Sequence, residues 1–189
     1  MGSTSPPDEL IALVAGALEA AGIPYMLTGS VVSGLHGRLR STHDLDVVID
    51  PPDPSSSVRR LLGGIGAEDF YADARAAEDA VRSRRMFNVV HHASGWKVDF
   101  IVKKARPFSE TEFQRRRRVR WGGRELSVAS PEDTVIAKLE WAKESGSTRQ
   151  LEDVAAVLAV QGEALDLAYV RGWVAELGLE EAWAAALAL

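Results

Sequence analysis

The stretch Thr42-His43-Asp44-Leu45-Asp46-Val47-Val48-Ile49-Asp50 decides how this chain reads. Strand side chains alternate between faces. A strand over Asp44–Ile49 therefore puts Asp44 and Asp46 on one face and Leu45, Val47 and Ile49 on the other. Aspartate is disfavoured in strands, so two on one face of an otherwise apolar run need a reason. A solvated strand end is one such reason. Trp96-Lys97-Val98-Asp99-Phe100-Ile101-Val102 repeats the oddity with Asp99. If Asp99 faces the same point, three negative charges crowd together. Two charges ~4 Å apart repel by roughly 4 kcal/mol at an effective dielectric near 20. Such a cluster calls for a cation, and the hard divalent ion that suits carboxylate oxygens is Mg²⁺.

Upstream, Gly29-Ser30 falls between a strand expected over Tyr25–Thr28 and a helix expected from Val31 to about Arg38. Backbone N–H groups at a helix start bind anions, and glycine lets a phosphate approach the backbone. Alone the pair is weak, because most Gly-Ser pairs are turns. Its weight comes from the Asp-x-Asp that follows.

Further out, apolar spacing predicts a helix over Asp8–Ala21, ended by Gly22, and helices over Ser55–Leu62 and Asp73–Arg84. Hairpins are expected for Met86–His92 with Lys97–Val102, and for Val119–Trp121 with Glu125–Val128. A short helix is expected from Glu110 to about Arg117. From Ser130 onward the pattern is helical. Ser130-Pro131-Glu132-Asp133 is a strong start signal: a capping serine, proline at the first helical position, then acids. Helices follow near 131–144, 147–161, 166–177 and 180–188. The expected fold class is α/β (α+β): a mixed β-sheet flanked by helices over 1–129, then a C-terminal helical bundle over 130–189 packed on it.

Gly-Ser, a helix, Asp-x-Asp and a third aspartate on a later strand resemble the nucleotidyltransferase superfamily, the fold of polymerase β. The resemblance spans roughly residues 25–102. Ala129-Ser130-Pro131-Glu132-Asp133, with Lys138, Arg149 and Asp153 beyond it, is similar to compact bacterial nucleotidyltransferases of the abortive-infection and toxin–antitoxin type. The resemblance implies that Gly29 and Ser30 hold the triphosphate. Asp44, Asp46 and Asp99 hold two Mg²⁺ ions, and Asp99 also activates the attacking hydroxyl. Lys138 contacts phosphate, and Asp153 matches a later acid of the toxin-like group. The reaction implied moves NMP from an NTP to a hydroxyl on an RNA 3′ end, tRNA included, or on a protein, with an antitoxin as regulatory partner. An aminoglycoside-type adenylyltransferase is the main alternative, with Glu68, Asp69 and Asp73 as candidate acceptor-pocket acids. A non-catalytic antitoxin or binding module of the same fold is a third, disfavoured by the intact carboxylates.

The remaining motifs carry less. Arg40 lies between the Gly-Ser helix and Asp44 and is a candidate phosphate ligand, with Arg38 behind it. Lys138 flanks the apolar stripe of Val135, Leu139 and Ala142. Arg149 and Asp153 are four apart on one helix and read equally as a surface ion pair. Arg115-Arg116-Arg117-Arg118, with Arg120 and Trp121, suits either RNA phosphates or a solvated face, and the net charge of −5 favours the face. His43 reads as a polar loop residue. His91 and His92, adjacent on a strand, point to opposite faces and cannot chelate one ion. Gly63-Gly64-Ile65-Gly66 lacks the Lys-Ser/Thr of a phosphate loop and reads as a helix-ending loop. Alanine-rich C-terminal helices with Trp173 and Trp183 suit a homodimer face or a core equally. The 189 residues, 46% hydrophobic and 26% charged, describe an ordinary globular protein. No cysteine is present, which excludes disulfides and thiolate metal sites. No apolar run approaches the ~20 residues of a membrane span and no signal peptide is evident, so a cytoplasmic protein is expected.

Overall fold

In the computed structural model, residues 6–38 and 42–189 are described. They form two compact units. The first comprises the described residues of Met1–Leu27 together with His43–Val128, and the second those of Thr28–Thr42 with Ala129–Leu189.

The first unit is built on a sheet. Its elements in chain order are α1 (Pro6–Ala20), β1 (Tyr25–Thr28), β2 (Asp44–Ile49), α3 (Pro54–Ile65), β3 (Phe70–Ala72), α4 (Ala74–Arg82), β4 (Met86–His91), β5 (Lys97–Val102), α5 (Pro107–Gln114), β6 (Arg117–Trp121) and β7 (Arg124–Val128). Helix α2 (Gly29–His36) follows β1 without a linking residue and groups with the second unit. The described strands make a seven-stranded sheet in the order β3-β4-β5-β2-β1-β7-β6. β2 and β5 run parallel, as do β1 and β7, while β3–β4, β4–β5 and β6–β7 are antiparallel.

Alternation sorts the central strands as expected. Leu45, Val47, Ile49, Val98, Phe100 and Val102 are all buried. Phe87 of β4 stacks on Phe100 with ring centroids 5.0 Å apart. Ile11, Val14 and Leu18 of α1, Val58, Leu61 and Ile65 of α3, and Ala77 and Val81 of α4 complete the core. Asp53 and Asp73 cap α3 and α4 by accepting hydrogen bonds from the Ser56 and Ala76 amides, each at 2.9 Å. At the far end, Trp121 Nε1 donates to Asp8 Oδ1 at 2.7 Å and ties β6 to α1.

Three expectations need correction. Strand β3 was not expected: it is three residues long and forms by antiparallel pairing with β4. Helix α3 runs on through Gly63 and Gly64 to Ile65, whose side chain is buried, and Gly64 packs against Ala17 of α1. Helix α5 stops at Gln114, so Arg117, Arg118 and Arg120 belong to edge strand β6. Charged side chains blunt such an edge against pairing with other chains.

The second unit is helical: α2, α6 (Pro131–Ser145), α7 (Thr148–Gln161), a 3-10 turn at Gly162–Ala164, α8 (Leu167–Leu177) and α9 (Glu180–Leu187). Ser130 caps α6 as its sequence predicts, accepting from the Asp133 amide at 3.1 Å. Ser130 Oγ also donates to Asp133 Oδ2 at 2.5 Å, and the Tyr169 hydroxyl of α8 donates to Asp133 Oδ1 at 2.6 Å. Helix α2 is clasped at its C-terminal end. His36 Nε2 pairs with Ala129 O at 2.8 Å, and Gln161 Nε2 donates to His36 O at 2.7 Å. Gly37 lies so close to α7 that a Cβ there would meet the Val157 backbone nitrogen at 2.9 Å. No described helix is long and apolar enough to cross a membrane.

Candidate active site

The three aspartates meet because β2 and β5 are parallel neighbours in register. Asp46 pairs laterally with Asp99, and Asp44 with Lys97. All four side chains therefore stand on one face at the N-terminal ends of two adjacent strands. Their exposure falls inward: Asp44 is exposed, Asp46 half-buried and Asp99 buried. On the other side of Asp99 in the sheet stands Asn88 of β4, which is exposed. The entry to β2 is fixed as well. The Lys97 amide donates to His43 O at 2.9 Å, and the His43 ring lies 5.7 Å from that of Trp96.

Lys97 supplies the positive charge here. Its Nζ is 2.8 Å from Asp99 Oδ2 and 3.6 Å from Asp44 Oδ1. The hydrogen bond to Asp99 outweighs the cost of partial burial and, with the charges of Asp99 and Asp44, holds the ammonium above the ordinary lysine value. Asp99 Oδ1 is different: it is buried and has no hydrogen-bond partner. A buried acceptor left unpaired is costly and calls for an explanation, a bound water or ion among them. Neither Lys97 nor Asn88 was assigned a role from sequence. Lys97 could have been found by the same alternation that found the acids, since it lies two residues before Asp99.

As arranged, two of the carboxylates, Asp44 and Asp99, share an ammonium. Among the described residues no group of three or more His, Asp or Glu side chains is placed so that it could hold a metal ion as it stands. In donor chemistry alone, every candidate ligand atom is a carboxylate oxygen, the kind a hard divalent ion takes, and one of them is the orphaned Asp99 Oδ1.

The other expected residues are placed as follows. Gly29 has φ +68°, a left-handed conformation that favours glycine, and opens α2 with Ser30 behind it. The side chain of Thr28, at the N-cap, makes no capping bond. Lys138 and Asp153 come together as a buried ion pair linking α6 and α7, with Nζ 2.6 Å from Oδ2. Lys138 is 4% exposed, so its ammonium is buried. Arg149 is exposed. Arg40 lies outside the described residues.

The profile of a family described as "Uncharacterised nucleotidyltransferase" matches residues 9–189. The chain belongs to this nucleotidyltransferase family. Solved structures agree on the fold. A nucleotidyltransferase-like antigenic protein from Paracoccidioides brasiliensis is 16% identical with a TM-score of 0.54, over 94% of this chain and 92% of that one. The antibiotic-resistance factor ANT(2″)-Ia in solution is 14% identical with a TM-score of 0.56, over 93% of each chain. The same factor in complex with adenylyl-2″-tobramycin is 13% identical with a TM-score of 0.53, over 95% of this chain and 99% of that one. No curated protein matches the sequence. The mixed sheet and flanking helices expected from sequence are thus those of a nucleotidyltransferase fold.

Proposed function

We propose that this nucleotidyltransferase moves NMP from an NTP to an acceptor hydroxyl, with Asp44, Asp46 and Asp99 as its metal-holding and catalytic residues. The observation that carries the reading is the lateral pairing of Asp46 with Asp99, which leaves Asp99 Oδ1 buried and unpartnered. Asp44, Asp46 and Asp99 would hold the divalent ions. A bound Mg²⁺ supplies charge stabilisation at the oxygens of the α-phosphate and the departing pyrophosphate. Asp99 accepts the proton of the acceptor hydroxyl. The hydroxyl oxygen forms a bond to the α-phosphorus as the bond from that phosphorus to the bridging oxygen breaks, and pyrophosphate leaves. Gly29 and Ser30 hold the triphosphate through backbone amides at the start of α2. The protein supplies position and electrostatics rather than a covalent intermediate.

For the acceptor, an RNA 3′ end or a protein hydroxyl, as in toxin-like enzymes, is the first reading. A small aminoglycoside-type acceptor is the second. It draws support from the similarity to ANT(2″)-Ia, which extends over 93% of both chains.

The deciding experiment incubates the protein with each α-³²P-labelled NTP, Mg²⁺ and total bacterial RNA, beside an Asp44→Ala/Asp46→Ala variant. A parallel set replaces RNA with tobramycin. Label in RNA or in protein with wild type only supports the first reading. Label in tobramycin supports the second. No transfer and no Mg²⁺-dependent NTP binding would remove the enzymatic reading altogether.

A further inference from the structure

We infer that Lys97 is a positioning residue that holds the seat of the divalent ion in the nucleotide-free protein and gives it up when the metal arrives with nucleotide. The inference rests on the reading that the three aspartates bind metal.

Geometry sets ammonium and metal in competition for Asp44 and Asp99. Nζ bridges Asp99 Oδ2 and Asp44 Oδ1, at 2.8 and 3.6 Å. An ion ligated by the same two carboxylates would face an unshielded ammonium a few ångströms away, and like charges at that range repel. That repulsion favours the departure of one of them. Asp99 cannot follow the metal outward, because its side chain is only 7% exposed. Lys97 can leave: its side chain is 39% exposed, on a flexible four-carbon stem. Free Mg²⁺ must break a charge-assisted hydrogen bond to enter and offers the displaced ammonium nothing in return. A metal–triphosphate complex brings phosphate oxygens that accept the ammonium. Metal occupancy is thereby coupled to nucleotide. The strand places this cation without a loop or lid, since Lys97 and Asp99 are two apart on one face.

The test is Mn²⁺ binding, read by the loss of the free-ion electron paramagnetic resonance signal. Wild type, Lys97→Met and Lys97→Gln are each titrated without nucleotide and with a non-hydrolysable NTP analogue. Lys97→Gln keeps a hydrogen-bond donor towards Asp99 and serves if the methionine variant folds poorly. Without nucleotide, both variants should bind Mn²⁺ about ten- to a hundredfold more tightly than wild type, the range set by one charge-assisted hydrogen bond. Adding Asp46→Asn should remove that gain. Equal or weaker Mn²⁺ binding by the variants, with wild type binding the ion in the presence of the analogue, would overturn the role of Lys97 and leave the metal reading standing. Absence of Mn²⁺ binding in all three proteins, with and without the analogue, would overturn both.

Discussion

Replacing Lys138 by methionine tests whether the Lys138–Asp153 pair is structural. The two groups are 4% and 8% exposed, and their charged atoms are 2.6 Å apart. Methionine fills most of the lysine stem's space, so little packing is lost and the change isolates the charge. Breaking a buried ion pair by removing one partner costs about 3–5 kcal/mol, because the remaining charge loses the counter-ion 2.6 Å away. For a chain of this size each kcal/mol lowers Tm by about 2–4 °C, so Lys138→Met should lower Tm by about 6–20 °C. Asp153→Leu should cost a comparable amount. The double variant should recover most of the loss, since replacing both partners by apolar groups is often neutral or stabilising. The assay is urea and thermal denaturation of the wild type, the two single variants and the double variant, analysed as a double-mutant cycle. A loss below about 1 kcal/mol for Lys138→Met, the range of a solvated pair, would refute the reasoning.

Three further outcomes are expected. Gly37→Ala puts a Cβ 2.9 Å from the Val157 backbone nitrogen, where no side chain can yield. It should cost about 1–3 kcal/mol, measured by urea denaturation, and loosen α2, the helix that begins with Gly29-Ser30. Phe100→Ala removes a fully buried ring stacked on Phe87 and should cost about 3–5 kcal/mol in the same measurement. Burial first, and the Glu19 carboxylate second, push the Tyr25 phenol above its ordinary 10.0. The folded form therefore holds the proton more tightly, so this stability is intact below pH 10.0 and is lost as pH rises through the folded value. Tyr25→Phe should accordingly lose less stability than wild type between pH 9 and pH 11, and identical alkaline slopes would contradict the assignment.

Much of the fold was legible because strong alternation leaves little choice. Leu45, Val47 and Ile49 must share a buried face, and strands β1, β2 and β5 run over the residues their patterns mark. What failed was set by tertiary partners. Phe70–Ala72 is too short to show alternation and becomes a strand only because β4 offers an edge. Arg117 and Arg118 carry no apolar signal, yet an edge strand accepts them. Gly63 and Gly64 read as a helix end until Ala17 of α1 is seen against Gly64. The site was half legible. Spacing shows that Asp44 and Asp46 share a face. It does not show that β5 crosses over to lie beside β2, and only that sheet order puts Asp99 next to Asp46. Arg149 read as the partner four residues before Asp153, while the buried cation that meets Asp153 comes from another helix.

Two lysines flank the β2–β5 pair, and their difference argues for which end is functional. At the C-terminal end, Lys103 Nζ lies 2.8 Å from Asp50 Oδ2 and 2.7 Å from Glu110 Oε2, and 5.3 Å from the centre of the Phe113 ring. Burial pulls this ammonium's pKa down, but the bonds to Asp50 and Glu110 more than offset it. At the N-terminal end, Lys97 likewise bridges an acid of β2 and a second acid. Here the lysine is 39% exposed, against 10% for Lys103. Among the described residues, the buried side-chain atoms without a partner are Asp99 Oδ1 and Thr134 Oγ1, and the Lys103 cluster contributes none. A lysine closed between two acids and an aromatic ring fastens the strands. A half-exposed lysine beside an unpaired buried oxygen leaves a place for another cation. The Lys103→Met variant should therefore lose stability with or without metal, whereas Lys97→Met should regain stability when Mn²⁺ is added. If Mn²⁺ shifts the melting curves of both variants equally, the two ends of the strand pair are not distinguished in this way.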